Sequence, residues 1–232
     1  MTPAQRNFFR DNGYLYLKRY LGKRQVDPIK RHVLSELKRL RMAAGGRAQS
    51  GLSGVPIFQQ ITKLGQLIKL DGLQQLILTE EIRGAITALA GTQLVCAQDA
   101  QLLLSLPHQD DWRLHGLNWH TDIAGTPTAH PPGIQVFALI DDVRPHGGGT
   151  LAIAGSHRLT NKGFASGKNV RQLLNEAADI EDSLNEMGLS ILEMAGHAGD
   201  VYLMDMRLLH TPSINSTKSP RLMATVRYHA PR

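Results

Sequence analysis

A single cysteine, Cys96, stands among the 232 residues, so an internal disulfide framework is excluded. Its setting, LVCAQDAQLLL, reads as a small core hydrophobe rather than a nucleophile. Long hydrophobic runs are missing too: no stretch reaches the ~18 apolar residues of a transmembrane helix. The start, MTPAQRNFFRDNG, lacks the apolar segment of a secretory signal. These absences point to a soluble chain in the reducing cytoplasm, with no membrane partner. Acidic residues are scarce in one region. Residues 1–50 hold 12 Lys/Arg against 3 Asp/Glu, and residues 51–232 hold 14 against 17, so the formal charge of +6 belongs to the N-terminal segment. There, Val26, Ile29, Val33, Leu34, Leu37 and Leu40 recur at helical spacing, which predicts an amphipathic helix over 24–42 with a cationic outer face. A solvated covering helix is the plain reading; an anionic partner is the functional one. The helix lacks aromatic residues for base stacking, so nucleic acid is not expected as a partner.

What is present suits one enzyme domain over residues 1–232. Hydrophobic content of 42% and charge of 20% are ordinary for a globular core. Residues 1–91 read as a mostly helical covering segment. Residues 3–12 form a short helix and Tyr14–Leu17 a strand, separated by Asn12-Gly13. Residues 43–54, AAGGRAQSGLSG, read as a mobile loop of small and polar residues, for which surface disorder is the plain reading and a lid beside the site the functional one. Residues 62–90 hold two further helical stretches, the second capped by Thr79 and stopped by Gly91. From residue 92 to 232 short β-like runs follow one another: QLVCAQDAQLLLSL, HGLNWHTD, GIQVFALID, GTLAIA, LSILEMA, DVYLMD and RLMATVRYH. That pattern predicts a barrel or double-sheet sandwich. A polar insertion near 156–186 interrupts the strands and offers a place for substrate contacts.

Metal-ligand chemistry enters with His120-Thr-Asp122. Residues i and i+2 of a strand share a face, so the imidazole and the carboxylate both reach one ion. His210, at the end of VYLMDMRLLH, supplies a third ligand from a neighbouring strand. Two His and one carboxylate on one face leave coordination positions open, as non-haem Fe(II) oxygenases require. Arg221 then stands as a fixed cation able to grip a carboxylate with two parallel hydrogen bonds. The short motif is not unique, because His108-Gln-Asp110 also fits; as an ordinary loop, PHQDDWR reads as turn chemistry.

The stretches FFRDNGYLYLKRYL, WHTD, GGGTLAIAGSHR and GDVYLMDMRLLHTPSINSTKSPRLMATVRY occur in an order that resembles the phytanoyl-CoA dioxygenase (PhyH-like) family of Fe(II)/2-oxoglutarate oxygenases. The GG-T-x₄-GSHR stretch and the His-x₁₀-Arg spacing are its most specific elements. The resemblance implies an α+β, mainly β fold: a double-stranded β-helix (jelly-roll, cupin-like) core with N-terminal helices packed on one sheet. It implies His120, Asp122 and His210 as iron ligands and Arg221 as partner of the 2-oxoglutarate C5 carboxylate. It further implies co-substrate contacts from Gln101, and from Thr211 or Ser213 where many members have a serine at the position of Pro212. Asn215 matches a recurrent asparagine. In the family about two dozen residues separate the ligand Asp from the glycine pair. Asp122 lies 26 residues before Gly148 and Asp110 lies 38, which favours the His120 pair.

The implied activity is oxidation of a substrate C–H by O₂, with 2-oxoglutarate converted to succinate and CO₂. Asp122 favours hydroxylation, because related halogenases replace this carboxylate with a small residue. Arg158, Trp112, Arg207 and His115 are the substrate-contact candidates, for a small and possibly anionic molecule. Trp119, next to a ligand, is expected to point away and pack. Two alternatives remain at this level: a metal-dependent jelly roll that does not use 2-oxoglutarate, and a non-catalytic sensor or nucleic-acid-associated protein.

Overall fold

The computed structural model describes residues 1–40, 42, 55–107, 109–124, 128, 130–159, 170–176 and 179–231. The 43–54 segment, read from the sequence as a mobile loop or lid, and His108 lie outside them.

The helices come first. α1 (Pro3–Asn12) has a capping box: the Thr2 hydroxyl accepts from Gln5 N, and the Gln5 side chain accepts from Thr2 N. It stops at Gly13, whose φ of 78° is left-handed. β1 (Tyr14–Leu17) follows, then α2 (Lys23–Arg39), the basic helix. Val26, Ile29, Val33 and Leu37 are buried along one stripe, while Leu34 stays exposed. Three helices rather than two follow: α3 (Ile57–Leu67), α4 (Leu73–Ile77) and α5 (Glu80–Ala90). The Gly72 turn, at φ 75°, separates the short α4 from its predecessor. Thr79 caps α5 by accepting from Ile82 N, and Gly91 ends it at φ 63°.

The strands are β2 (Val95–Cys96), β3 (Gln101–Ser105), β4 (Gly133–Leu139), β5 (Thr150–Ala154), β6 (Ser190–Glu193), β7 (Val201–Asp205), β8 (His210–Pro212) and β9 (Arg221–His229). The major sheet runs β1-β7-β4-β9-β2, with β3 also on β9; the minor sheet runs β6-β5-β8. Every pairing is antiparallel. Two facing antiparallel sheets with helices outside give the double-stranded β-helix. α6 (Val170–Glu176) and α7 (Ile180–Glu186) occupy the insertion.

Three apolar clusters divide the interior. α1–α5 pack on the outer face of the major sheet through Ile29, Val33, Ile77 and Ile82 against Ile134, Val136, Leu222 and Val226. Between the sheets lie Phe137, Leu139, Ala152, Tyr202, Met204 and Met223. Behind the minor sheet, Leu174, Ile180 and Leu184 of the insertion meet Leu151, Ile153 and Trp119. The insertion helices therefore cover the outer side of the minor sheet. Cys96 corrects the reading from sequence: it is exposed, on the short strand β2 at the end of the major sheet, where a two-residue strand buries neither face.

The recurring sequence stretches meet in space. Asn12 O accepts from Gly155 N, Gly13 O accepts from Asp205 N, and His157 Nε2 donates to Arg10 O. The Ser156 hydroxyl accepts from Leu209 N, one residue before His210. FFRDNGY and GSHR are thus two halves of one joint that fixes the end of β8. Gly13 sits inside that joint: a Cβ there would lie 2.9 Å from Leu208 and strike His157. In GGGT, Gly148 adopts φ 80°, and a Cβ on it would lie 2.9 Å from Asn215 Cβ. Asn215, fully buried, in turn braces the approach to β9, donating to Ser219 O and accepting from Thr217.

Candidate metal centre

His120 and His210 form an isolated antiparallel bridge, each backbone N–H donating to the other's carbonyl at 2.9 Å. Directly opposed residues project to the same face, so both imidazoles enter the space between the sheets. Their ring centroids stand 4.3 Å apart. The expected strand HGLNWHTD reduces to this one bridge. Asp122 is placed instead by a turn in which its N–H, and that of Ile123, donate to Met206 O at 3.1 Å. Asp122 Oδ1 then lies 3.7 Å from His120 Nε2, and Oδ2 lies 3.8 Å from His210 Nε2. One ligand atom from each residue lies within 4.8 Å of the other two.

The surroundings prepare these atoms for a cation. Nδ1 of His120 lies 2.9 Å from Asn118 O, and Nδ1 of His210 lies 3.0 Å from Leu208 O. A carbonyl only accepts, so each Nδ1 carries the proton and each Nε2 presents a lone pair inward. Burial pulls His210 down to about 4, against the opposing pull of Asp122, so its ring is neutral at physiological pH. Asp122 Oδ2 accepts from Arg227 Nε at 3.2 Å. The Gln135 amide, oriented with its nitrogen toward the carboxylate, donates to the same oxygen at 2.8 Å and accepts from Arg227 Nη2 at 3.3 Å. Outer contacts of this kind orient a ligand carboxylate.

The cavity around this group has a volume of about 310 Å³. Arg221 lines it, 2% exposed, at the start of β9. Its Nε and Nη2 donate to the Ser105 hydroxyl at 3.1 and 2.7 Å, and Nη1 contacts Met223 Sδ at 3.2 Å. Among the described residues no carboxylate pairs with it. Burial lowers its proton affinity to about 9, which still leaves it charged at neutral pH. A buried guanidinium without a counter-charge is costly, and an anion beside it removes that cost.

The structure brings His120, His210 and Arg221 to one cavity, with Asp122 against the two histidines. It places the other candidates elsewhere. Gln101 stands at the start of β3 beside a separate surface hollow and donates weakly to Gln98 Oε1 at 3.5 Å. Thr211 and Ser213 alternate onto the far side of β8, where Ser213 donates to Gly149 O and Thr211 to Pro212 O; Pro212 is the residue that lines the cavity. Trp112 stacks on His146 and, with exposed His115, borders a groove beside α7. Arg158 and Arg207 border another cavity next to α1. Asp110 is exposed and paired with Arg113 at 2.7 Å. Trp119 packs behind the minor sheet, as its position next to a ligand implies.

Reading the sequence missed Leu103, Gln135, Phe137, Thr150 and Arg227, with Phe58, Ile61 and Thr62 of α3. The signal was available for β9, whose every second residue from Arg221 leads to Met223, Thr225 and Arg227 on one face.

Fold and donor set together describe a jelly roll with a candidate two-histidine, one-carboxylate metal site. The family described as phytanoyl-CoA dioxygenase (PhyH) matches residues 9–223, and the chain belongs to that family. No curated protein matches the sequence. Solved structures share the fold: AviO1 from Streptomyces viridochromogenes Tue57 superposes with a TM-score of 0.64 at 18% identity, covering 98% of this chain and 94% of its own. The non-haem alpha-ketoglutarate-dependent carbocyclase SnoK of nogalamycin biosynthesis gives 0.64 at 19%, covering 99% and 84%. EctD from S. alaskensis, solved with 2-oxoglutarate and 5-hydroxyectoine, gives 0.63 at 19%, covering 99% and 76%.

Proposed function

We propose that the protein is an Fe(II)- and 2-oxoglutarate-dependent dioxygenase that hydroxylates an unactivated C–H bond of a small metabolite, releasing succinate and CO₂. One observation carries the reading: His120 and His210 of the group with Asp122 share a cavity with a buried Arg221 that has no carboxylate partner among the described residues. A jelly roll that did not use 2-oxoglutarate would have no need of that cation. Several relatives of the same fold are described as alpha-ketoglutarate-dependent, among them a carbocyclase and an epimerase. Hydroxylation within this range rests on Asp122, which fills the position that halogenating relatives leave open.

The donor set fits iron(II): two imidazoles and one carboxylate are ligands for a borderline cation and leave open positions. When bound, iron(II) with 2-oxoglutarate and O₂ supplies the oxidising power for C–H cleavage. The chain's own residues bind, orient and exclude water. His120 and His210 present Nε2 because their Nδ1 protons are held by backbone carbonyls. Gln135 and Arg227 hold Asp122 Oδ2 and fix the carboxylate plane. Arg221 offers a planar fork to the distal carboxylate of the co-substrate, with Ser105 setting its angle. Phe137, Leu103 and Ile61 give that cavity apolar walls, which strengthens the pairing by excluding water.

A reducing cytoplasmic setting belongs to the same reading, since Cys96 is a free exposed thiol. No described helix is long and apolar enough to cross a membrane. The test is an anaerobic titration of the full chain with Fe(II) and 2-oxoglutarate, followed by the visible metal-to-ligand charge-transfer band. A band in the parent, absent in His120→Ala and shifted to higher 2-oxoglutarate concentration in Arg221→Ala, supports the assignment. Iron binding without any band on adding 2-oxoglutarate overturns the co-substrate.

A further inference from the structure

A second cavity, of about 430 Å³, opens beside α1 and shares no lining residue with the metal cavity. Its walls come from α1, the end of α5, the turn after β5 and the turn after β7. Four arginines border it: Arg6, Arg10, Arg158 and Arg207. Two of them are neutralised. Arg207 is buried and doubly bonded to Asp205, Nε to Oδ1 at 3.0 Å and Nη2 to Oδ2 at 2.7 Å, and its Nη1 donates to Thr128. Arg10 pairs with exposed Asp11 at 3.1 Å. Arg6 and Arg158 have no carboxylate partner among the described residues; Arg6 reaches only the carbonyl of Met1, at 3.3 Å. Among the described residues Asp205 is the one acid that lines the cavity, and Arg207 pairs with it.

We infer that this cavity is a binding site for a small dianion, best matched by a phosphate monoester. Two cations from separate elements border one concavity, so an anion held there is attracted to both. A phosphate monoester carries close to two negative charges at neutral pH and offers three acceptor oxygens to guanidinium forks. The hollow is concave and of small-molecule size, which fits a metabolite better than a polymer backbone. The site explains why the arginine of GSHR, placed in the sequence as a substrate contact, does not reach the metal cavity. Met206, between Asp205 and Arg207 in the chain, accepts from Asp122 N through its carbonyl, a backbone link from this wall to the candidate metal group.

The test is calorimetric titration of the full chain with inorganic phosphate and glycerol 3-phosphate, with succinate as a dicarboxylate arm. The Arg6→Gln/Arg158→Gln double variant and Arg221→Gln are titrated beside the parent. Both replaced arginines of the double variant lie outside the packed core, so a thermal melt matching the parent is expected. Saturable phosphate-ester binding, weakened roughly tenfold or more in the double variant and unchanged in Arg221→Gln, supports the site. Succinate bound more tightly than the phosphates, and equally lost in the double variant, supports the dianion site and assigns it to a dicarboxylate. Absence of binding in the parent, survival in the double variant, or loss confined to Arg221→Gln overturns the inference. None of these outcomes depends on iron or on 2-oxoglutarate turnover, so the proposed activity stands or falls separately.

Discussion

β9 sends alternate residues to two different destinations. Leu222, Ala224, Val226 and Tyr228 face the helices and belong to the outer core. Arg221, Thr225 and Arg227 face the space between the sheets, where Arg221 and Thr225 are buried although polar. β4 repeats the division, with Ile134, Val136 and Ala138 outward and Gln135 inward beside Asp122. The outer face is apolar along both strands, whereas the inner face interleaves its polar groups with buried Phe137, Leu139 and Met223. The inner face keeps costly polar groups that the fold does not need for packing. Parity along one strand therefore separates a face used for packing alone from the face that also carries the polar groups of the site.

Substitutions on either face of this sheet sharpen that division. The largest effect is expected from Asp122→Ala, which removes the only carboxylate of the metal group and abolishes the Fe(II)/2-oxoglutarate absorption band; an unchanged band moves the metal site elsewhere. Arg221→Ala comes next. Losing one partner of a buried charge pair costs about 2–5 kcal/mol, so half-saturation by 2-oxoglutarate rises roughly 30-fold or more while iron still binds. On the other face, Ile134→Ala, at a fully buried position, is expected to lower stability by about 3–4 kcal/mol in urea unfolding and leave 2-oxoglutarate affinity untouched. A change in affinity there would show that the two faces are coupled.

Acid comes next in size. His210 is held neutral by burial, its folded value of about 4 lying below the ordinary 6.5. Between those values the unfolded chain binds a proton that the folded chain does not, so stability falls as pH drops through that window and is flat above it. The metal-free chain should lose about 2–3 kcal/mol between pH 6.5 and 4.5, and His210→Gln should flatten the profile. His157, also lowered by burial, adds a smaller slope of the same sign.

The same division explains what could be read in advance. Helix starts and stops were legible because caps are local: Thr79, Gly13 and Gly91 behave as their side chains dictate. That His120, Asp122 and His210 come together was legible because one i, i+2 pair and one distant histidine stand at the spacing of such a donor group. Substrate candidates chosen by nearness in sequence were not, because Arg158 and Arg207 follow turns that carry them round to the α1 side of the sheet. Thr211 and Ser213 failed on parity alone: they neighbour His210 and Pro212 but face the other way. Cys96 was misjudged because an apolar context in sequence does not reveal that β2 is two residues long and exposed.

Arg227 offers the smallest and sharpest test, because it sits on the functional face yet touches the metal only through Asp122. Its Nε holds Oδ2 at 3.2 Å, and Gln135 shares that oxygen at 2.8 Å. With Gln135 in place, Arg227→Gln leaves the carboxylate one donor rather than none, so iron affinity should weaken only about tenfold, the lower end for an outer contact to a metal ligand. Arg227→Lys keeps the charge but loses the planar fork, and should recover part of the deficit if charge matters more than orientation. A competition titration with a calibrated iron(II) chelator measures both variants. Arg227→Gln matching the parent would mean that Gln135 alone fixes Asp122, leaving the Arg227 guanidinium as a cation for the substrate.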